Sequence, residues 1–148
     1  MHNFIDYRPP RIAFSFVLIA LVISAVLPLP LHASLPLAAT LTGVIGFLLM
    51  IRGWWLFKRA DTAICPTATA SALVTRDVFS ISRNPMYLGI ILMVCALGIL
   101  TGSAPFYMAA TAYWVVMDRA FCPYEEQKSL QEFGEEYAAY ARRVRRWL

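Results

Sequence analysis

The chain has 148 residues, of which 59% are hydrophobic and 15% charged, with 13 basic against 9 acidic side chains and a mean hydropathy of +0.60. Soluble domains carry about 45–50% apolar and about 25% charged residues, so the composition argues against a soluble domain, and the richness in Leu, Ile, Val and Phe against a disordered or collagen-like chain. Cys65, Cys95 and Cys122 are odd in number and lack zinc-ligand spacing, which predicts free thiols, with neither a disulfide framework nor a metal site.

The first element is read from an absence. No Asp, Glu, Lys or Arg occurs from Ile12 to Ile51, a window of 40 residues. One membrane pass takes about 20 residues at ~1.5 Å rise, so the window holds two. Pro28, Pro30 and Pro36 divide it, predicting helices over about 12–31 and 36–57 joined by a tight hairpin. The first run, with Arg8 and Arg11 on its flank and Ala33 near a candidate cleavage site, also resembles a signal peptide. Its length and its direct passage into another apolar run favour a retained helix.

From Ala60 to Pro85 the chain is polar and rich in Thr, Ser and Ala, and a loop of that length is uncommon without a function. Ser71 to Val74 is expected to form a short extended piece or an interfacial helix. The segment closes on RNPMYLG, where Asn84 is placed to cap the next helix and Pro85 suits its first turn. Local structure does not account for Arg83 and Tyr87, which flank that helix start. Its free N–H groups favour an anionic or oxygen-rich ligand, while no Rossmann or P-loop motif is present and nothing points to nucleic acid.

A second charge-free window of 34 residues runs from Asn84 to Met117 and divides at Thr101 to Pro105. It predicts helices over about 85–101 and 105–121, again a hairpin. Two full passes need about 40 residues, so ionisable groups, Arg83 at the entry and Asp118 with Arg119 at the exit, are expected near the membrane boundary. Gly98 and Gly102 have a spacing suited to close helix packing, within one chain or between two.

Beyond Pro123, Leu130, Phe133, Tyr137, Tyr140, Val144 and Trp147 recur at steps of three and four, the pattern of an amphipathic helix over about 124–147. Gly134 in its middle points to a bend or close packing. The terminal arginines suit the helix dipole and anionic headgroups. Glu125 and Glu126 fall at the membrane level of Arg83 and Tyr87, where they read either as a solvated helix start or as a site for a cation. Arg8, Arg11, Lys58, Arg59, Arg76, Arg83, Arg119 and Lys128 share one side of an even-numbered topology. The expected fold is therefore all-α and polytopic: four transmembrane helices in two hairpins plus a C-terminal amphipathic helix, one domain over 1–148, in the cell membrane with both termini cytoplasmic.

SALVTRDVFSISRNPMYLG, a helical hairpin, and then EEQKSLQEFGEEYAAYARRVRRW together resemble the membrane methyltransferases that include isoprenylcysteine carboxyl methyltransferase and the bacterial phospholipid methyltransferases. The resemblance runs from about Ala60 to Trp147. It implies S-adenosylmethionine as methyl donor, held by Ala72, Leu73, Val74, Phe79, Asn84, Pro85, Met86, Tyr87 and Glu125, with Glu126 and Arg83 supporting the pocket; separately, Arg119 or Arg83 is expected to orient the acceptor. Carboxylates for a cationic cofactor, donors for its carboxylate, and aromatic rings for adenine and sulfonium fit that chemistry. No metal is implied. The acceptor is expected to be lipophilic or small and reached from the bilayer.

Three positions depart from the family pattern. Members acting on prenylcysteine carry an arginine that corresponds here to Phe121, which argues against a carboxyl acceptor; Asp77 stands where a glycine is frequent, and Phe79 where a tyrosine is. An amino-phospholipid N-methyltransferase and a non-enzymatic membrane adaptor are the alternative readings.

Overall fold

The computed structural model describes residues 9–62 and 70–148; Arg8 and Cys65 lie outside them. Among the described residues the named elements are all helical, with α1 (Pro9–Val26), α2 (Pro36–Arg59), a single 3-10 turn at Asp77–Ser80, α3 (Pro85–Thr101), α4 (Ala104–Val116), a π turn at Met117–Phe121 and α5 (Cys122–Arg143). Prolines near the starts of α2, α3, α4 and α5 follow from chemistry: the missing N–H would find no helical partner there, and the ring fixes a helical φ. α1 ends at Val26, short of the expected residue 31, because Pro28 cannot extend it and disfavours helix in the residue before it.

α1 and α2 are long and apolar enough to cross a membrane, and α3 is a shorter apolar helix. Their large side chains face outward: Phe14, Val22, Leu37 and Leu48 are all exposed. Such a continuous apolar surface suits hydrocarbon and not water. The interior is built instead around α4 and the π turn that follows it, where Phe106 and Tyr113 of the helix and Met117 and Phe121 of the turn pack against Ala13 and Ala20 of α1 and Ile90 and Val94 of α3.

The helices of the first hairpin pack mainly on the second and not on each other, α2 lying along α3 and α1 along α4. Two glycines permit the first contact. A Cβ on Gly46 would stand 2.6 Å from the carbonyl oxygen of Gly89, so only hydrogen lets the α2 and α3 backbones meet. Gly98, expected to mediate helix packing, abuts the Tyr107 ring, and Gly102 ends α3 in a left-handed conformation at φ 66°. There Gly102 accepts from the Leu31 amide at 2.7 Å, and the Ala104 amide donates to Leu29 at 3.0 Å. Both inter-helix turns consequently sit at one end of the bundle, joined also by His32 and Tyr107 at 2.8 Å.

At the other end α4 does not stop before Pro123, as a separate helix from residue 124 would require. It passes through the π turn into α5. Proline at 123 removes an N–H and crowds the carbonyl four residues back, and a widened turn accommodates both. α5 then bends at Gly134, which adopts φ 52° and ψ −126° with open space around its Cα. The bend, rather than close packing, is the role of this glycine. It breaks the expected apolar stripe: Tyr137 and Tyr140 are buried beyond it while Leu130, before it, is 49% exposed.

Candidate functional site

The end of the bundle opposite the two turns encloses a cavity of about 750 Å³, within the range of small-molecule sites, about 300–1,000 Å³. Ala72, Leu73, Val74, Phe79, Asn84, Pro85, Met86, Tyr87, Glu125 and Glu126 all line it, as does Arg83. Arg119 does not; its side chain is 83% exposed and 3.6 Å from Asp118.

Each wall follows from a local feature. Residues 70–74 form neither a strand nor a helix; they are tied down because the buried Thr62 hydroxyl accepts from the amides of Ser71 at 2.9 Å and Ala72 at 3.2 Å, and Glu132 accepts from that of Ala70 at 3.3 Å. Phe79 is carried by the 3-10 turn, which starts from Asp77 at φ 62°. A backbone there favours glycine, the residue frequent in the family; Asp77 tolerates it because its carboxylate accepts from the Val78 amide and from the Arg52 guanidinium. The same ion pair holds the Asp77 carboxyl below its ordinary pKa.

Asn84 begins α3 without the side-chain cap expected of it; its Nδ2 donates instead to the carbonyl of Arg146 at 3.2 Å. One turn further, the Tyr87 hydroxyl donates to Glu125 Oε1 at 2.5 Å, although 38 residues separate them. The π turn makes this possible, since an extra residue in a turn rotates the succeeding side chains by about 100° relative to an unbroken helix. Burial raises the Glu125 carboxyl from 4.5 to about 7; the Tyr87 hydrogen bond opposes that shift and the neighbouring Glu126 charge adds to it. Glu126 faces Arg83 at 3.2 Å, and Arg83 also donates to the Tyr137 hydroxyl at 3.2 Å.

Sequence reasoning did not single out Trp54, Phe57, Phe133, Tyr137 and Tyr140, the aromatic walls of the cavity. Phe133 and the two tyrosines lie on the amphipathic face, which by itself points only to a helix on the membrane or capping the bundle. Arg146 was assigned to headgroups, yet its guanidinium points inward to Glu126 at 2.8 and 2.7 Å and to Asp118 at 3.0 Å. No signal in its tetrad of arginines distinguished it.

The site therefore joins carboxylates, an arginine and flat aromatic surfaces in one enclosure open enough for a small molecule. Among the described residues no group of His, Cys, Asp and Glu side chains is arranged to hold a metal. A family model for phospholipid methyltransferase matches residues 35–136, which includes α2, α3, α4 and most of α5. No curated protein and no solved structure gives a significant match to the chain. With more than half its length covered by that model, and the motif residues of both segments facing one cavity, the chain belongs to the phospholipid methyltransferase family, within the isoprenylcysteine and phospholipid methyltransferase group.

Proposed function

We propose that the chain is an S-adenosylmethionine-dependent methyltransferase that crosses the membrane four times, keeps both termini and the cavity on the cytoplasmic side, and methylates the amine of a phospholipid. The observation that carries this reading is the meeting of Tyr87 and Glu125 in one cavity: two segments separated by a helical hairpin converge on a space for one small molecule. A soluble donor and a membrane-bound acceptor can meet only at an interface, which is where the ionisable residues gather.

The residues present fit the donor. Glu125 is matched to its cationic ammonium or its ribose hydroxyls, while Glu126, held by two arginines, supports the pocket wall. The Arg83 Nε–H, buried with no hydrogen-bond partner, is a donor to a carboxylate. Trp54, Phe57, Phe79 and Tyr87 offer flat faces to a purine and a sulfonium. S-adenosylmethionine supplies an electrophilic methyl group when bound. The protein's part is to align the acceptor with that group and exclude water, and position and partial desolvation together account for much of the acceleration without a metal centre. A phospholipid ammonium must first give up a proton to solvent, so that the neutral amine forms the new carbon–nitrogen bond as the carbon–sulfur bond breaks and S-adenosylhomocysteine leaves.

The amine is preferred to a carboxyl because the segment before the Glu pair brings no cation into the cavity: Phe121 is fully buried in the core and Arg119 lies outside the lining. A second reading, methylation of a prenylcysteine carboxyl, draws support from the unpartnered Arg83 nitrogen. Incubating the purified protein with labelled donor and, separately, phosphatidylethanolamine, prenylcysteine and a thiol distinguishes them. Label in the phospholipid is the expected result. Label confined to prenylcysteine establishes the second reading. No transfer together with no saturable binding of S-adenosylhomocysteine identifies a non-enzymatic membrane adaptor.

A further inference from the structure

After Arg143 the chain leaves α5 and turns back across the starts of α3 and α5. The carbonyl of Arg145 accepts from the Arg83 amide at 3.0 Å, and that of Arg146 from the Ser82 hydroxyl at 3.1 Å and Asn84 Nδ2 at 3.2 Å. The Trp147 indole donates to Asp118 at 2.9 Å. Within this tail the Arg146 guanidinium grips Glu126 in a two-pronged pair, Nε to Oε1 and one terminal nitrogen to Oε2, and places its other terminal nitrogen on Asp118.

The consequence lies in how charge is shared. Glu126 is the carboxylate paired with Arg83, yet both of its oxygens already accept from Arg146, in the geometry that is strongest for an arginine–carboxylate pair. Arg83 makes one longer contact to it, one to the neutral Tyr137 hydroxyl, and has a buried Nε–H with no partner. A buried donor left unsatisfied is costly. It is explained if a ligand in the cavity satisfies it.

We propose that Arg146 is a positioning residue: by taking both oxygens of Glu126, it keeps the Arg83 Nε–H available to an oxyanion of the bound ligand, a carboxylate or a phosphate. This rests on the cavity being the reaction site. Without Arg146, Glu126 turns to Arg83 and cancels it.

The test tracks both the arginine and the ligand. The Nε–H resonance of Arg83 is recorded by nuclear magnetic resonance in detergent for the native protein, for Arg146→Met and for Arg146→Met combined with Glu126→Gln. Calorimetry with S-adenosylhomocysteine and, separately, with dihexanoyl phosphatidylethanolamine reads the ligand; the probe whose affinity changes identifies the oxyanion as the donor carboxylate or the lipid phosphate. Arg146→Met is expected to shift the Arg83 signal and weaken one probe by about tenfold, the loss of roughly one charge-assisted hydrogen bond. The double variant is expected to recover both, which a merely structural role for Arg146 does not predict. An unshifted Arg83 signal, or a double variant as weak as the single, overturns the inference. If the signal moves and recovers as expected while native protein binds neither probe, the charge sharing stands and the methyl-transfer reading falls.

Discussion

Glu125 carries a cost that the fold bears for the sake of the site. Its carboxyl is raised by burial from 4.5 to about 7, so the folded protein holds a proton between those values that the unfolded chain releases. Stability from this group is present below pH 4.5 and lost as pH rises to 7. Glu125→Gln removes the charged state, and is expected to raise stability at pH 8 by on the order of 1–3 kcal/mol with little change at pH 5. Melting temperatures at the two pH values check it; an equal gap at both would mean that the carboxyl is not buried in its charged form. The same variant is expected to weaken donor binding by tenfold or more, since an amide presents no charge to a cation. In the native protein donor affinity should fall as pH drops below 7. Tyr87→Phe removes the hydrogen bond that favours the ionised carboxyl, so that fall should begin at a higher pH. Calorimetry across pH 6 to 9 reads the displacement.

At the scale of elements, the contact of α2 with α3 depends on glycine at two facing positions. A Cβ on Gly46 would meet the Gly89 carbonyl, and one on Gly89 would meet the backbone of α2 in return. Gly89→Val is expected to destabilise by about 1–3 kcal/mol, the usual cost of forcing atoms into a packed interface. It should also weaken donor binding, because Tyr87 and Ile90 of the displaced helix line the cavity. Gly134 makes a different demand. Its Cα faces open space, so Gly134→Ala meets no clash, but φ 52° with ψ −126° is a conformation that alanine avoids. The variant should lose about 1–3 kcal/mol and straighten α5, drawing Tyr137 away from Arg83. Thermal melting gives the first quantity, and the fluorescence or exchange behaviour of Tyr137 the second.

For the whole molecule, the proposed topology puts the turns around Ser34 and Ser103 on one side of the membrane and the cavity and C-terminal tail on the other. In a cysteine-free background, Ser34→Cys should react with a membrane-impermeant maleimide from outside intact cells, while Leu148→Cys should react only after the membrane is opened. Labelling of both from outside would reject four crossings.

The helix count and the boundaries near residues 36, 85 and 101 were legible from charge-free windows and prolines, because a bilayer penalises charge and a helix penalises proline wherever they occur in a chain. The two motif segments were legible through resemblance, down to the residues that line the cavity. Neither source could say which helix lies beside which: glycine spacing pointed to Gly98, which does pack against Tyr107 of α4, but not to Gly46 and Gly89, where the α2 and α3 backbones meet. The inward turn of Arg146 was equally hidden among identical neighbours. Composition and local chemistry act residue by residue, and so determined the helical elements and their apolar character. Pairing of helices, the rotation introduced by the π turn and the sharing of Glu126 between two arginines arise from contacts between distant parts of the chain, and only the tertiary structure decided them.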